Sequence, residues 1–247
     1  MTVTRTDHPH GPATRRLFCG VAATGVLGAF TLGSSFLLLP NPPAISAPLA
    51  QLVAWAKGHH GSLLLTAWLE AAGAALFVGF LLMLASVEVT GRRTARLLTV
   101  LSGAAVLTVS LVYAISVIML ADAAKTGGPQ LPTAAVAYGL FAACEHTFLL
   151  TPPVFLSLGF TLRGSKLLGP RFAGSAVALG CAAAVVGLVG LFYAKPQNAG
   201  PAGLAVNLLI GLQSLWVLAA AVSLQRRAPR PPSAAETTAL ETTSQPT

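Results

Sequence analysis

The chain has 247 residues, of which 54% are hydrophobic and only 9% charged, with a formal net charge of +8. A soluble globular domain carries about 25% charged residues, so the composition excludes one and places the chain in a membrane. The positive excess does not mark a nucleic-acid partner, because the basic residues fall in small clusters between apolar runs and not on one solvated face.

Residues 1–14, with His8-Pro9-His10-Gly11-Pro12, have no period that could bury a face and are expected to form a disordered tail. Thr14-Arg15-Arg16-Leu17-Phe18 then leads into an apolar run that ends at Leu39. The arginine pair is similar to a twin-arginine export signal, and residues 44–47 to a poor cleavage site. The run is nevertheless longer than the roughly 7–15 residues of a signal-peptide core, and further apolar segments follow it, so residues 17–39 are expected to be an uncleaved first helix. Gly25, Ala29 and Gly33 give it a stripe of small residues suited to close helix contact.

Pro40-Asn41-Pro42-Pro43 closes that helix, and Leu49, Leu52, Val53 and Ala56 then share one face of a short helix expected to lie in the outer interface. His59-His60 follows, at the mouth of the second crossing, 62–87. That crossing carries Glu70 and a ridge of Ala71, Ala75 and Gly79. A basic turn from Gly91 to Arg96 precedes the third crossing, 97–120, with Tyr113. Asp122, Lys125 and Gly127-Gly128-Pro129 mark a loop.

The fourth segment, 134–162, contains Cys144-Glu145-His146-Thr147 and then Pro152-Pro153. Two prolines remove two backbone donors, so a kink is expected beyond Glu145 and His146. The fifth segment, 172–193, places Ala176, Gly180 and Ala184 at four-residue spacing; the sixth, 203–224, carries Asn207, Gln213 and Trp216. Residues 228–247 are rich in Pro, Thr, Ser and Glu and are expected to be a disordered tail.

Six crossings distribute the 15 lysines and arginines unevenly. Arg5, Arg15, Arg16, Arg92, Arg93, Arg96, Arg163, Lys166, Arg171, Arg226, Arg227 and Arg230 fall on one side, and only Lys57, Lys125 and Lys195 on the other. The positive-inside rule then puts both termini in the cytoplasm. The expected fold class is all-α: a polytopic, six-helix protein of a bacterial cytoplasmic membrane.

Ionisable groups at membrane depth each cost about 2.5–3.5 kcal/mol on insertion scales and need partners. At about 1.5 Å per residue, Glu70 lies roughly 12 Å down, Gln213 roughly 15 Å, and Glu145 with His146 roughly 17 Å. Tyr113, on an oppositely running segment, falls near Glu70. One reading joins Glu70, Glu145 and His146 in a buried protonatable site, with Tyr113 and Gln213 as hydrogen-bond partners. A second has each group satisfied separately by hydroxyls or backbone carbonyls, and a third has them snorkel from a lipid-facing surface.

No metal site or cofactor is expected. Cys144, Glu145 and His146 are consecutive, so on a helix they fan about 100° apart and cannot grip one ion. Cys19, Cys144 and Cys181 have no ligand spacing, and a bis-histidine haem would lack its second imidazole. Motifs of hydrolases, zinc proteases and P-loops do not occur.

The stretch Gln51-Leu-Val-Ala-Trp-Ala-Lys-Gly-His-His60, continued through Gly61, Trp68-Leu69-Glu70 and on to Phe80, resembles uncharacterised multi-helix membrane proteins of high-GC bacteria. In them a short outer helix ends in a His-Gly or Arg-Gly step before an apolar helix carrying Tyr/Trp-Leu-Glu. The resemblance covers about 30 residues and implies a membrane location and weight on Glu70, but no activity.

Three functional classes follow. A transport or ligand-binding protein, for a small solute or linked to protons, expects a water-reachable cavity around Glu145. A non-enzymatic scaffold or regulatory subunit expects a packed interior and a lateral face for a protein partner or a second copy, through small-residue helix faces. A membrane enzyme using Glu145 and His146 as an acid–base pair expects a closed pocket with a nucleophile or metal. Without a catalytic motif, the sequence favours the scaffold. No internal repeat of the kind built into many transporters is detectable.

Overall fold

In a hydrocarbon environment every backbone polar group must be paired within its own segment or across a closed sheet, so long apolar runs of Ala, Leu, Val and Gly fold as helices. The computed structural model describes residues 12–44, 46–87, 93–144, 150–164, 168–193 and 201–227. Among them every regular element is helical: α1 (Pro12–Leu38), α2 (Leu49–Gly58), α3 (His60–Val87), α4 (Arg93–Thr126), α5 (Leu131–Cys144), α6 (Thr151–Thr161), α7 (Pro170–Tyr193) and α8 (Pro201–Arg227), with a short 3₁₀ turn at Gly128–Gln130. Five helices, α1, α3, α4, α7 and α8, are long and apolar enough to cross a membrane. Large apolar side chains such as Phe30, Leu37 and Trp68 face outward. On a soluble protein these would form adhesive patches; here they meet lipid, and the chain is a helical membrane protein.

The helices form a ring. α1 packs on α3, α3 on α4, α4 on α6, α6 on α7, α7 on α8, and α8 returns to α1, with α5 against α4. Glycines set the closest approaches. A methyl built on Gly28 would lie 2.6 Å from the Phe77 amide nitrogen, and one on Gly73 2.6 Å from that of Leu32. Together with Gly25 against Phe80 and Ser35 against Glu70, these contacts fix α1 and α3 antiparallel. Gly159 and Gly180 bring α6 and α7 together in the same way.

Antiparallel pairing around the ring gathers Arg16, Arg93, Arg96, Arg163, Arg171 and Arg226 at one end of the bundle, and α2, Lys57, Asp122 and Lys125 at the other. Two apolar clusters build the interior. The larger joins α1, α3, α6, α7 and α8 towards the arginine end, around Phe80, Phe155, Leu158 and Trp216. The smaller joins α2, α3, α4 and α5 at the opposite end, around Leu63, Leu120, Ala121 and Phe141. Hydroxyls tie helices across the bundle: Thr99 donates to Ser157 at 3.0 Å, and the Trp216 indole donates to Ser175 at 2.9 Å. The Tyr138 hydroxyl donates to the Pro43 carbonyl and anchors the chain leaving α1 to α5.

Several expectations change. Of the fourth segment, α5 is described up to Cys144 and α6 from Thr151 with Pro152 in its first turn, where the missing proline N–H has no intrahelical acceptor to serve; residues 145–149 between them, and with them the expected kink, lie outside the described residues. α4 runs to Thr126, so Asp122 and Lys125 lie on its last turns. The chain turns only at Gly127 and Gly128, whose φ of 67° and 55° suits residues without a Cβ. α1 begins at Pro12, inside the stretch read as a tail. Of the small-residue stripes, Ala75 and Ala184 point outward, and Gly33 and Gly79 have open space. Gly25 and Gly180 of the stripes do make close contact, Ala29 and Ala176 are buried, and Gly28 and Gly73 make close contacts outside the stripes. The short helix is present as α2, with Leu52 and Ala56 buried. The tails 1–11 and 228–247 lie outside the described residues.

Candidate functional site

Between the two apolar clusters the packing opens into a cavity of about 160 Å³. α1 supplies Leu32 and Phe36, Leu39 follows its last residue, and α3 supplies Glu70, Ala74, Phe77 and Val78. Val106, Ser110 and Tyr113 come from α4; Cys144 is the last residue of α5 and Thr151 the first of α6. Asn207, Ile210, Gln213 and Ser214 of α8 complete the wall. The cavity thus borders both the last described residue of α5 and the first of α6.

Glu70 is 8% exposed. Its Oε2 lies 2.8 Å from the Ser35 hydroxyl of α1, and the Ser110 hydroxyl of α4 faces the same carboxyl group. Three helices therefore converge on one carboxyl group. Ser35 Oγ also lies 2.7 Å from the Leu32 carbonyl of its own helix, so its single proton has two acceptors within reach.

Tyr113 stands one turn beyond Ser110 on the cavity wall, its ring 5.1 Å from that of Phe141. Gln213 is buried, and its amide nitrogen donates to the Thr151 hydroxyl at 3.3 Å, which links α8 to the first residue of α6. At the end of the bundle that holds α2, His60 Nε2 approaches Asp122 Oδ1 at 3.4 Å. The Nε2 atom has no aligned hydrogen bond despite being buried, so the contact is one of proximity only.

Of the five residues singled out from the sequence, Glu70, Tyr113 and Gln213 line this one cavity. Glu145 and His146 lie outside the described residues, although Cys144, which precedes them, is on the wall. Ser35, Ser110, Thr151, Asn207 and Ser214 were not assigned to the site by sequence reasoning. A serine in an apolar helix ordinarily bonds to a carbonyl three or four residues back, as Ser34, Ser86 and Ser102 do, and nothing local distinguishes Ser35 from them. Among the described residues no three His, Cys, Asp or Glu side chains group to hold a metal ion.

No protein-family model matches the chain, and neither a curated protein nor a solved structure matches it. The functional reading therefore rests on the geometry of the site.

Proposed function

We propose that the chain is a small-solute membrane protein, binding or transporting its ligand in the cavity around Glu70. The observation that carries this reading is the cavity itself: a buried carboxyl group, bonded to the Ser35 hydroxyl of α1 and faced by the Ser110 hydroxyl of α4, borders an unfilled space walled by α1, α3, α4, α5, α6 and α8. An intramembrane acid marks a functional site by default. The scaffold reading expects a filled interior and is the weaker for it.

The same proposal takes α5 and α6 together as the fourth of six crossings. Each alone, at roughly 21 and 16 Å, is shorter than a hydrocarbon core of about 30 Å. The arginine end faces the cytoplasm, as the positive-inside rule requires, and the membrane is the cytoplasmic membrane of a bacterium.

Cys144 provides the test. In the Cys19→Ser, Cys181→Ser protein, reconstituted in lipid nanodiscs, methyl methanethiosulfonate added from water is expected to modify Cys144 in the folded state. Modification that occurs only after unfolding would show a sealed interior and return the assignment to a scaffold.

A further inference from the structure

We propose that the cavity exchanges a proton for a small lipophilic ammonium ion, with Glu70 as the exchange group and Ser35 as the hydroxyl that serves both states. This deepens the proposed site and rests on it.

One hydroxyl proton serves two acceptors. Ser35 Oγ is 2.8 Å from Glu70 Oε2 and 2.7 Å from the Leu32 carbonyl, and a hydroxyl has a single hydrogen to give. With Glu70 ionised, Ser35 donates to the carboxylate. With Glu70 neutral, the carboxyl O–H donates to Ser35 Oγ, and Ser35 turns its own hydrogen to Leu32. Neither state leaves a buried group unpaired, and the change requires only a rotation about the Ser35 C–O bond.

A carboxylate without a counter-ion is costly in so apolar a place, so on this proposal the empty site is taken to hold its proton. The charged form requires a cation, and the lining selects which kind. Phe36, Phe77, Val106 and Ile210 give an apolar wall. No Lys, Arg, His or Asp is among the described lining residues, whose other titratable side chains are Tyr113 and Cys144; Glu145 and His146 are outside the described residues. The volume of about 160 Å³ matches cavities that hold a benzene-sized body. An ammonium group on a ring or branched alkyl fits these walls, whereas an anion would have to sit beside a carboxyl group with no basic partner among the described residues.

The exchange balances. The ammonium ion enters with its charge, the Glu70 O–H bond breaks, the proton leaves to water, and the carboxylate remains paired with the cation. The net charge of the site stays zero. Affinity should therefore rise about tenfold per pH unit wherever free Glu70 is protonated and the amine is charged.

The full chain in nanodiscs is titrated calorimetrically with benzylamine, benzyl alcohol and benzoate, in buffers of different ionisation heat. We expect benzylamine to bind with release of one proton and the tenfold pH slope, benzyl alcohol to bind without proton release, and benzoate not to bind. Glu70→Gln should lose the proton release and the preference for benzylamine while keeping benzyl alcohol. Ser35→Ala should weaken benzylamine about tenfold and leave benzyl alcohol unchanged. If Glu70→Gln fails to fold, the pH slope of the unaltered protein decides. Benzylamine binding without proton release, or benzoate binding as well as benzylamine, overturns the exchange and leaves the site. Failure of all three compounds to bind overturns both.

Discussion

Glu70 is held by hydroxyls and by no cation among the described residues, and this decides what its loss should do. Removing one partner of a buried ion pair costs about 3–5 kcal/mol, because the other charge is stranded. Here the orphans would be two serines, and Ser35 keeps the Leu32 carbonyl as an acceptor. Glu70→Leu should therefore change the stability to SDS unfolding by no more than about 1 kcal/mol; a loss of several would reveal a cationic partner such as His146. Gly28 is less forgiving. A methyl there meets backbone, not a movable side chain, so Gly28→Val should cost about 1–3 kcal/mol in the same assay. Gly33→Ala, with nothing within 4 Å, should be neutral or stabilising by up to about 1 kcal/mol.

Among the elements, the start of α6 shows how one motif admits two structures. Pro152-Pro153 is consistent with a kink inside a helix or with the first turn of a new one, since both relieve the missing donors. Tertiary contact decides: α6 docks on α7 through Gly159, whose added methyl would fall 2.6 Å from Val177, and that contact fixes where α6 points. If α6 starts here, Pro152→Ala should shift the thermal midpoint by less than 2 °C, equivalent to about 0.5 kcal/mol; straightening a kink would shift it far more. The stripes were hard to place for a related reason. A helix that is apolar all round carries no amphipathic signal of its rotation about its axis, so Ala75 and Gly73 look equally suited to the interface. Hydrogen bonds between helices should be modest: a double-mutant cycle on Thr99→Val and Ser157→Ala is expected to give a coupling of about 0.6 kcal/mol.

For the molecule as a whole, location, helical class and the spacing of most helices were legible because they follow from run length and lipid chemistry. Glu70, Tyr113 and Gln213 line one cavity, a grouping that the rise per residue along helices of alternating direction allows. The closure of α8 on α1, and with it the second half of the cavity wall, was not legible, because pairing between distant apolar helices leaves no local trace. The orientation is testable directly. A green fluorescent protein fused after Thr247 should fluoresce, and a periplasmic phosphatase inserted between Gly127 and Gly128 should be active; the reverse pattern would invert the bundle.

The length of α4 carries a further consequence. From Arg96 to Asp122 the helix has a charge-free stretch of about 37 Å, against a hydrocarbon slab near 30 Å. Either α4 leans by more than 30°, close to the upper end of what membrane helices adopt, or its last turns stand clear of the lipid. α2 is packed against α4, so in the second case the two would rise together as a small rigid porch over the entrance. Amide exchange at Ala123 and Ala124 that quickened as the host acyl chains were shortened would favour the porch; exchange indifferent to chain length would favour the lean.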